Sequence, residues 1–260
     1  MKESQIVSEL FHALRNLQGM EMLLLVGLNR NLPKDRVDLL VGCDGGDIYK
    51  YGPTIESLLK DYWPNGNFSV CDDSIRFELP AGCGGVAVCN SSVLVGQIQE
   101  WIGGKELGGQ HRPWATGYWV PEALCGDLAT AEFLYDPKRI HIQIKELIIP
   151  YPLSLSRAIS ELCIEEIKQK LDTLENSHES DNSIEFNLCL SDITASMVRL
   201  AFARSHCYFR GFRSLGEQVH LLKSSSLPVY ELALRLSRFT SRDAKEVSVI
   251  ISEIGKLLSL

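Results

Sequence analysis

Apolar residues at Ile6, Leu10, Leu14 and Leu17 recur every three or four positions, which predicts an amphipathic helix, and Gly19 supplies its stop. The apolar run from Met20 to Val26, ended by Gly27, predicts a strand buried on both faces. Asn31-Leu32-Pro33 turns the chain, and residues 37–41 read as the next strand. Pro53 opens a helix whose apolar stripe is Ile55, Leu58, Leu59 and Tyr62. Residues 68–71 and 75–79, separated by Asp72-Asp73-Ser74, form a hairpin pattern. Gly84-Gly85 leads into a short strand at 86–89. Ser91 or Ser92 then caps a helix that buries Leu94, Ile98 and Trp101.

Beyond about Thr116 the pattern becomes helical. One helix starts after Tyr151-Pro152 with Leu155, Ala158, Ile159 and Leu162; a second carries Ile193, Met197 and Leu200; the last carries Val247, Ile250, Ile254 and Leu257. The stretch ENSHESDN at 175–182 is polar throughout, which predicts a mobile loop between the first two. The loop at 103–113 contains four glycines and marks a boundary. The expected fold class is therefore α+β: a mixed sheet with flanking helices over residues 1–112, followed by an all-helical bundle domain over 113–260.

Composition narrows the function classes. A formal charge of -7 and a pI near 5.4 give no basic footprint, so nucleic acid is disfavoured as a partner. The eight cysteines include no C-x-x-C and no short Cys/His ligand pair, and Cys163 and Cys189 lie among apolar helical residues, which suggests buried thiols in a reducing cytoplasm. The N-terminal segment carries Glu3 and Glu9 and does not read as a signal peptide, and no apolar stretch is expected to reach membrane-spanning length.

The chemistry concentrates at Arg36-Val37-Asp38. Side chains two apart on a strand share a face, so Arg36 and Asp38 point the same way. A metal-dependent phosphate-transfer site would want carboxylates at both positions, because Asp-x-Asp holds Mg²⁺ against substrate phosphates whereas Arg-x-Asp largely neutralises itself. Asp38 is then a weak candidate metal ligand, and a carboxylate paired with Arg36 or Arg30 is the favoured alternative. Arg30 and Arg36 also match the fork geometry of a phosphate without any metal.

Other candidates are weaker. One of Asp72, Asp73 or Glu78 would have to rebuild a carboxylate pair, although a solvated hairpin turn explains the two aspartates. The glycine-rich loop with Lys105, Gln110 and His111 lacks the phosphate-loop pattern. Glu132 and Asp136 have no evident base or nucleophile to serve. Tyr208, Phe209 and Phe212 beside Arg204, Arg210 and Arg213 read as core packing with charged ends ahead of a ligand-stacking patch. His206 and Cys207 project in different directions.

The helix, the strand ending in glycine, the turn and the strand bearing Val37-Asp38-Leu39 together resemble the start of the antibiotic-type nucleotidyltransferases. Phe133-Leu134-Tyr135-Asp136-Pro137, Tyr151-Pro152, Ala201-Phe202-Ala203-Arg204 and Tyr208-Phe209-Arg210-Gly211 follow the order of the helical domain in uncharacterised relatives. The resemblance implies Gly-Ser after the first strand, Asp-x-Asp on the second and a third aspartate on a later strand. This chain has Gly27-Leu28 followed by Asn29 and Arg30, has Arg36 for the first aspartate, matches the second at Asp38, and has Val86-Ala87-Val88 where the third is expected. The candidate cleft is thus Gly27, Asn29, Arg30, Arg36, Asp38 and Ala87.

The leading expectation is a degenerate, non-catalytic nucleotidyltransferase-like protein that keeps an interdomain cleft for a small-molecule or nucleotide ligand, or for a protein partner, with no cofactor. The alternative is an active transferase using Mg²⁺ with ATP or GTP to move a nucleoside monophosphate onto a hydroxyl of a small acceptor.

Overall fold

The first helix, α1 (Lys2–Leu14), ends five residues before Gly19, which instead forms the turn into the first strand from the left-handed region at φ 80°, where a side chain would also run into Asp44 and the Tyr51 hydroxyl. Ile6, Leu10 and Leu14 form the buried stripe of α1, and Leu17 continues it beyond the helix. The structure is a computed structural model that describes residues 2–26, 36–45, 50–71, 74–79, 82–105, 107, 113–114, 117–118, 120–179, 182–212, 215–240 and 243–258. Contacts divide the chain into two units. The first comprises Met1–Ile102, Gly109–Pro150 and Arg210–Glu217, and the second comprises Gly103–Gly108, Tyr151–Phe209 and Gln218–Leu260.

The first unit is built on a six-stranded mixed sheet. Its strands are β1 (Met20–Val26), β2 (Arg36–Cys43), β3 (Asn67–Cys71), β4 (Ser74–Leu79), β5 (Gly82–Asn90) and β8 (Glu132–Tyr135), in the order β3-β4-β5-β2-β1-β8. Two further strands, β6 (Pro113–Trp114) and β7 (Gly117–Tyr118), pair separately. Among the described residues, only the β2–β5 pairing is parallel. A parallel pair needs a crossover, and α2 (Tyr51–Tyr62) with the β3–β4 hairpin supplies it.

Alternation decides the two faces. Val37, Leu39, Val41 and Cys43 of β2 join Ile75, Phe77, Leu79, Val86 and Val88 in one apolar cluster with the buried sides of α1 and α2. Met22, Leu24, Leu40 and Ala87 are equally buried on the other side. Three helices, α3 (Ser91–Ile102), α4 (Pro121–Thr130) and α5 (Ile140–Ile148), pack on one another and against β5 and β1.

The structure extends or corrects the sequence reading in four places. The strand expected at 86–89 begins at Gly82, because Gly84 sits on the core face against the Val37 carbonyl: a Cβ there would lie 1.7 Å from that oxygen and 2.6 Å from the Phe77 ring. The cap of α3 is neither serine but Asn90, whose Oδ1 accepts from the Val93 amide at 3.0 Å. Residues beyond 112 were expected to be helical, yet β8 pairs with β1, and Gly109–Pro150 belongs to the sheet-bearing unit. Finally, the polar stretch expected to be a mobile loop is mostly helix.

That last correction concerns the second unit. The helix α6 (Leu153–Glu179) runs on through the polar residues to Glu179, and Asn182 caps α7 (Ser183–Ser205) by accepting from the Glu185 amide at 3.3 Å and donating to its carboxylate at 3.0 Å. Tertiary packing overrides composition here. The pair is an antiparallel hairpin in register: Ser156 Oγ donates to Ala203 O at 2.7 Å, Ser196 Oγ to Glu166 at 2.8 Å, and Lys170 pairs with Asp192 at 2.7 Å. After the short α8 (Leu215–Gln218), whose first three residues belong to the first unit, α9 (Leu227–Leu236) and α10 (Ala244–Leu258) complete the second, and α9 packs on α7. Contrary to expectation, one described helix does reach membrane-spanning length: an 18-residue window of α7 has mean hydropathy 1.2. Of that window 67% is buried, as the central helix of a packed unit requires.

Gly84→Ala is expected to destabilise the protein by about 3 kcal/mol or more, since backbone blocks the new methyl. Gly96→Ala on α3, with open space around the new Cβ, should stabilise by about 0.5–1 kcal/mol. Urea unfolding midpoints of the two variants check this; equal midpoints would contradict it.

Candidate functional site

β2 is an interior strand, with β1 on one side and β5 on the other. Its first residues therefore sit between two neighbours. Asp38 is in register with Val26 of β1 and Gly85 of β5, and Arg36 with Cys83. Residues opposite one another on paired strands share a face, so Asp38 has an apolar side chain on one flank and none on the other.

Arg36 and Asp38 point the same way, as alternation requires, and close on each other. Arg36 Nε donates to Asp38 Oδ2 at 2.9 Å, and Nη2 donates to Oδ1 at 3.2 Å. Both carboxylate oxygens are engaged by one guanidinium, the bidentate arrangement that makes arginine the strong partner for a carboxylate. The Asp38 side chain is 1% exposed and that of Arg36 is 20% exposed, so the pair is largely removed from water. Breaking such a pair by deleting one member typically costs about 3–5 kcal/mol, because the remaining charge loses its opposite charge in a site largely closed to water.

The remaining sequence candidates are distributed as follows. Gly27, Asn29 and Arg30, with Leu28, lie outside the described residues, as do Asp72, Asp73, Gln110, His111, Arg112 and Arg213. Ala87 is on the same face but in register with Leu40; the β5 residue beside Asp38 is Gly85, two positions earlier. Register was the missing signal, since a parallel pairing after a long crossover leaves no local mark in sequence. Glu78 is exposed and pairs with Cys83, which places it two strands from Arg36, about 10 Å at ordinary strand spacing. It does not rebuild a carboxylate pair at Asp38.

Asp136 is a structural carboxylate, accepting from the Ile140 and His141 amides at 2.7 and 3.0 Å at the start of α5. Phe209 packs on Phe202 in the core of the second unit with rings 5.6 Å apart, and Tyr208 on Tyr151 at 4.6 Å. Cys207 Sγ turns to the Leu221 carbonyl while His206 Nδ1 lies 3.1 Å from Lys223 Nζ, so the adjacent cysteine and histidine form no catalytic pair.

In the comparisons, no family model matches the chain, and no curated protein is similar to it in sequence. Among solved structures, a nucleotidyltransferase-like protein from Exiguobacterium sibiricum superposes with a TM-score of 0.53 at 12% identity, over 98% of this chain and 74% of that one. The likeness is one of fold. The chain has a nucleotidyltransferase-like architecture.

A divalent ion of the kind such a fold implies needs several oxygen ligands, usually from more than one carboxylate. The described residues do not fit it. Asp38 gives both oxygens to a cation already present, Arg36 stands at the alternate position, and Gly85 offers no side chain across the pairing. Among the described residues no three His, Cys, Asp or Glu side chains gather in a set that could hold a metal ion.

Thiol chemistry is disfavoured by the same burial. The Cys43 thiol is pushed up to about 12, chiefly by desolvation and then by the neighbouring Asp44 carboxylate, and burial also pushes up Cys125 and Cys189.

The other notable titrating group is His141. Its Nε2 lies 3.2 Å from the Leu128 carbonyl, joining α5 to the end of α4, and its pKa is lowered, first by burial and then by Lys145, against the opposing pull of that carbonyl and Asp136. A depressed histidine binds its proton more weakly folded than unfolded. Its neutral form therefore contributes stability above the ordinary value of 6.5, and that contribution is lost as pH falls through the folded value. The melting temperature of the wild type should fall more steeply between pH 7 and pH 5 than that of His141→Gln. Parallel slopes would contradict the assignment.

Proposed function

We propose that this chain is a degenerate nucleotidyltransferase-like protein that acts by binding a small-molecule ligand, a nucleotide or a protein partner, and does not transfer nucleotides. The observation that carries the reading is the closed Arg36–Asp38 pair at the place where the fold's chemistry calls for two carboxylates. In-line attack on a nucleotide phosphate depends on neutralising charge that builds up on the transferred group. Loss even of a residue that only supports a metal ligand typically costs about 10- to 100-fold, and here the alternate ligand position carries a positive charge. The guanidinium both fills the carboxylate's coordination sites and repels an incoming divalent ion.

Cysteines buried among apolar helical residues, such as Cys163 of α6 and Cys189 of α7, support a reducing compartment such as the cytoplasm. The acidic net charge supports ligands other than nucleic acid.

Calorimetry with ATP and with GTP, each with and without Mg²⁺, alongside transfer of labelled nucleotide to a panel of hydroxyl acceptors, tests the proposal. The expected result is no Mg²⁺-dependent turnover. Mg²⁺-dependent transfer that disappears in Asp38→Ala would establish the opposite reading, an active metal-dependent transferase.

A further inference from the structure

We propose that the groove between α9 and α10, within the second unit, binds a small zwitterion with an aliphatic body, of the kind presented by an apolar amino acid or a short apolar peptide with free termini. This goes beyond the reading above and does not rest on it.

Helical spacing puts the lining residues on two stripes. Pro228, Glu231, Leu232 and Arg235 fall at i, i+3, i+4 and i+7 on α9, and Glu253, Lys256 and Leu257 at i, i+3 and i+4 on α10. Arg235 and Glu253 form an ion pair from one helix to the other. The next charged residues along the two stripes, one turn away on each helix, are Glu231 and Lys256. They too are opposite in sign, yet among the described residues neither has an ion-pair partner. Pro228, Leu232 and Leu257 supply the apolar lining, and Leu232 is buried. The space they enclose is about 410 Å³, a volume ordinary for a ligand pocket.

The charges decide the class of ligand. A neutral apolar molecule would leave both Glu231 and Lys256 unmet, and an anion or a cation would answer only one of them. A molecule carrying an ammonium for Glu231, a carboxylate for Lys256 and an aliphatic body for Leu232 and Leu257 answers all three demands. Arg235 and Glu253 satisfy each other and leave the ligand's charges to the second pair. Glu231 and Lys256 are exposed, so each ionic contact is screened by water and binding is expected in the millimolar range.

The test is amide nuclear magnetic resonance of the full chain, titrated with leucine, leucyl-leucine, N-acetyl-leucine, leucinamide and N-acetyl-leucinamide. Leucine or leucyl-leucine should shift amides of α9 and α10 saturably, and the one that saturates at lower concentration identifies the amino acid or the peptide as the better fit. Glu231→Gln should weaken the zwitterions and leucinamide about two- to fivefold and leave N-acetyl-leucine unchanged. Lys256→Gln should do the reverse, weakening the zwitterions and N-acetyl-leucine and sparing leucinamide. A substitution that merely disturbed the helices would weaken every ligand alike. No saturable shift on α9 and α10 at tens of millimolar zwitterion, N-acetyl-leucinamide binding as tightly as the zwitterions, or equal losses for all ligands in the two variants would overturn the proposal. Such a failure leaves the non-catalytic reading intact, since that reading is decided by nucleotide transfer.

Discussion

A carboxylate with 1% of its side chain exposed, placed on an interior strand between a valine and a glycine, is met by Arg36, which reaches both of its oxygens at 2.9 and 3.2 Å. The same two-residue spacing that puts Arg36 and Asp38 on one face would put two aspartates there in a metal-dependent transferase. On the proposed reading, a base in place of one acid leaves a site that no longer attracts a divalent ion. It also couples the two residues, because loss of either removes an opposite charge from the other.

The sheet around the pair explains how it is accommodated. β5 runs parallel to β2 and approaches it so closely at Gly84 that no Cβ fits against the Val37 carbonyl on the core face. The next residue, Gly85, puts no side chain on the opposite face beside Asp38, and Arg76 of β4 follows it in the same row. Consecutive glycines thus answer two separate demands, tight packing on one side and an uncrowded flank on the other. The core under this region is conventional: alternate residues of β2, β4 and β5 meet the apolar stripes of α1 and α2. A rigid floor of this kind can hold a charged pair in one geometry, since the strand positions cannot drift without moving the core.

Much of the architecture was legible because it depends on periodicity. The stripe at Ile6, Leu10 and Leu14, the run Met20–Val26 and the Arg36–Asp38 alternation each declare an element within a few residues, and each is found. What escaped was information carried between distant segments. Gly82 to Gly85 reads as a loop until the Val37 carbonyl is seen to exclude a side chain. The residue facing Asp38 was sought at Ala87, and only the strand register moves it to Gly85. β8 joins an edge of the sheet from beyond the expected boundary, a pairing across more than a hundred residues that no window detects. The polar end of α6 reads as a loop on composition, yet it is held as helix by the hairpin with α7 and by the Asn182 cap. At the site, residue identities pointed to the neutralised pair, and geometry added the two-point contact.

The most direct measurement is nuclear magnetic resonance of the Arg36 side-chain Nε–H in the intact protein during titration with Mn²⁺. A guanidinium locked onto Asp38 should give a sharp Nε–H signal that exchanges slowly with water and is not broadened by a few equivalents of the paramagnetic ion. Rapid exchange of that proton, or selective broadening at β2 by stoichiometric Mn²⁺, would show that Asp38 is open to a metal and would contradict the account.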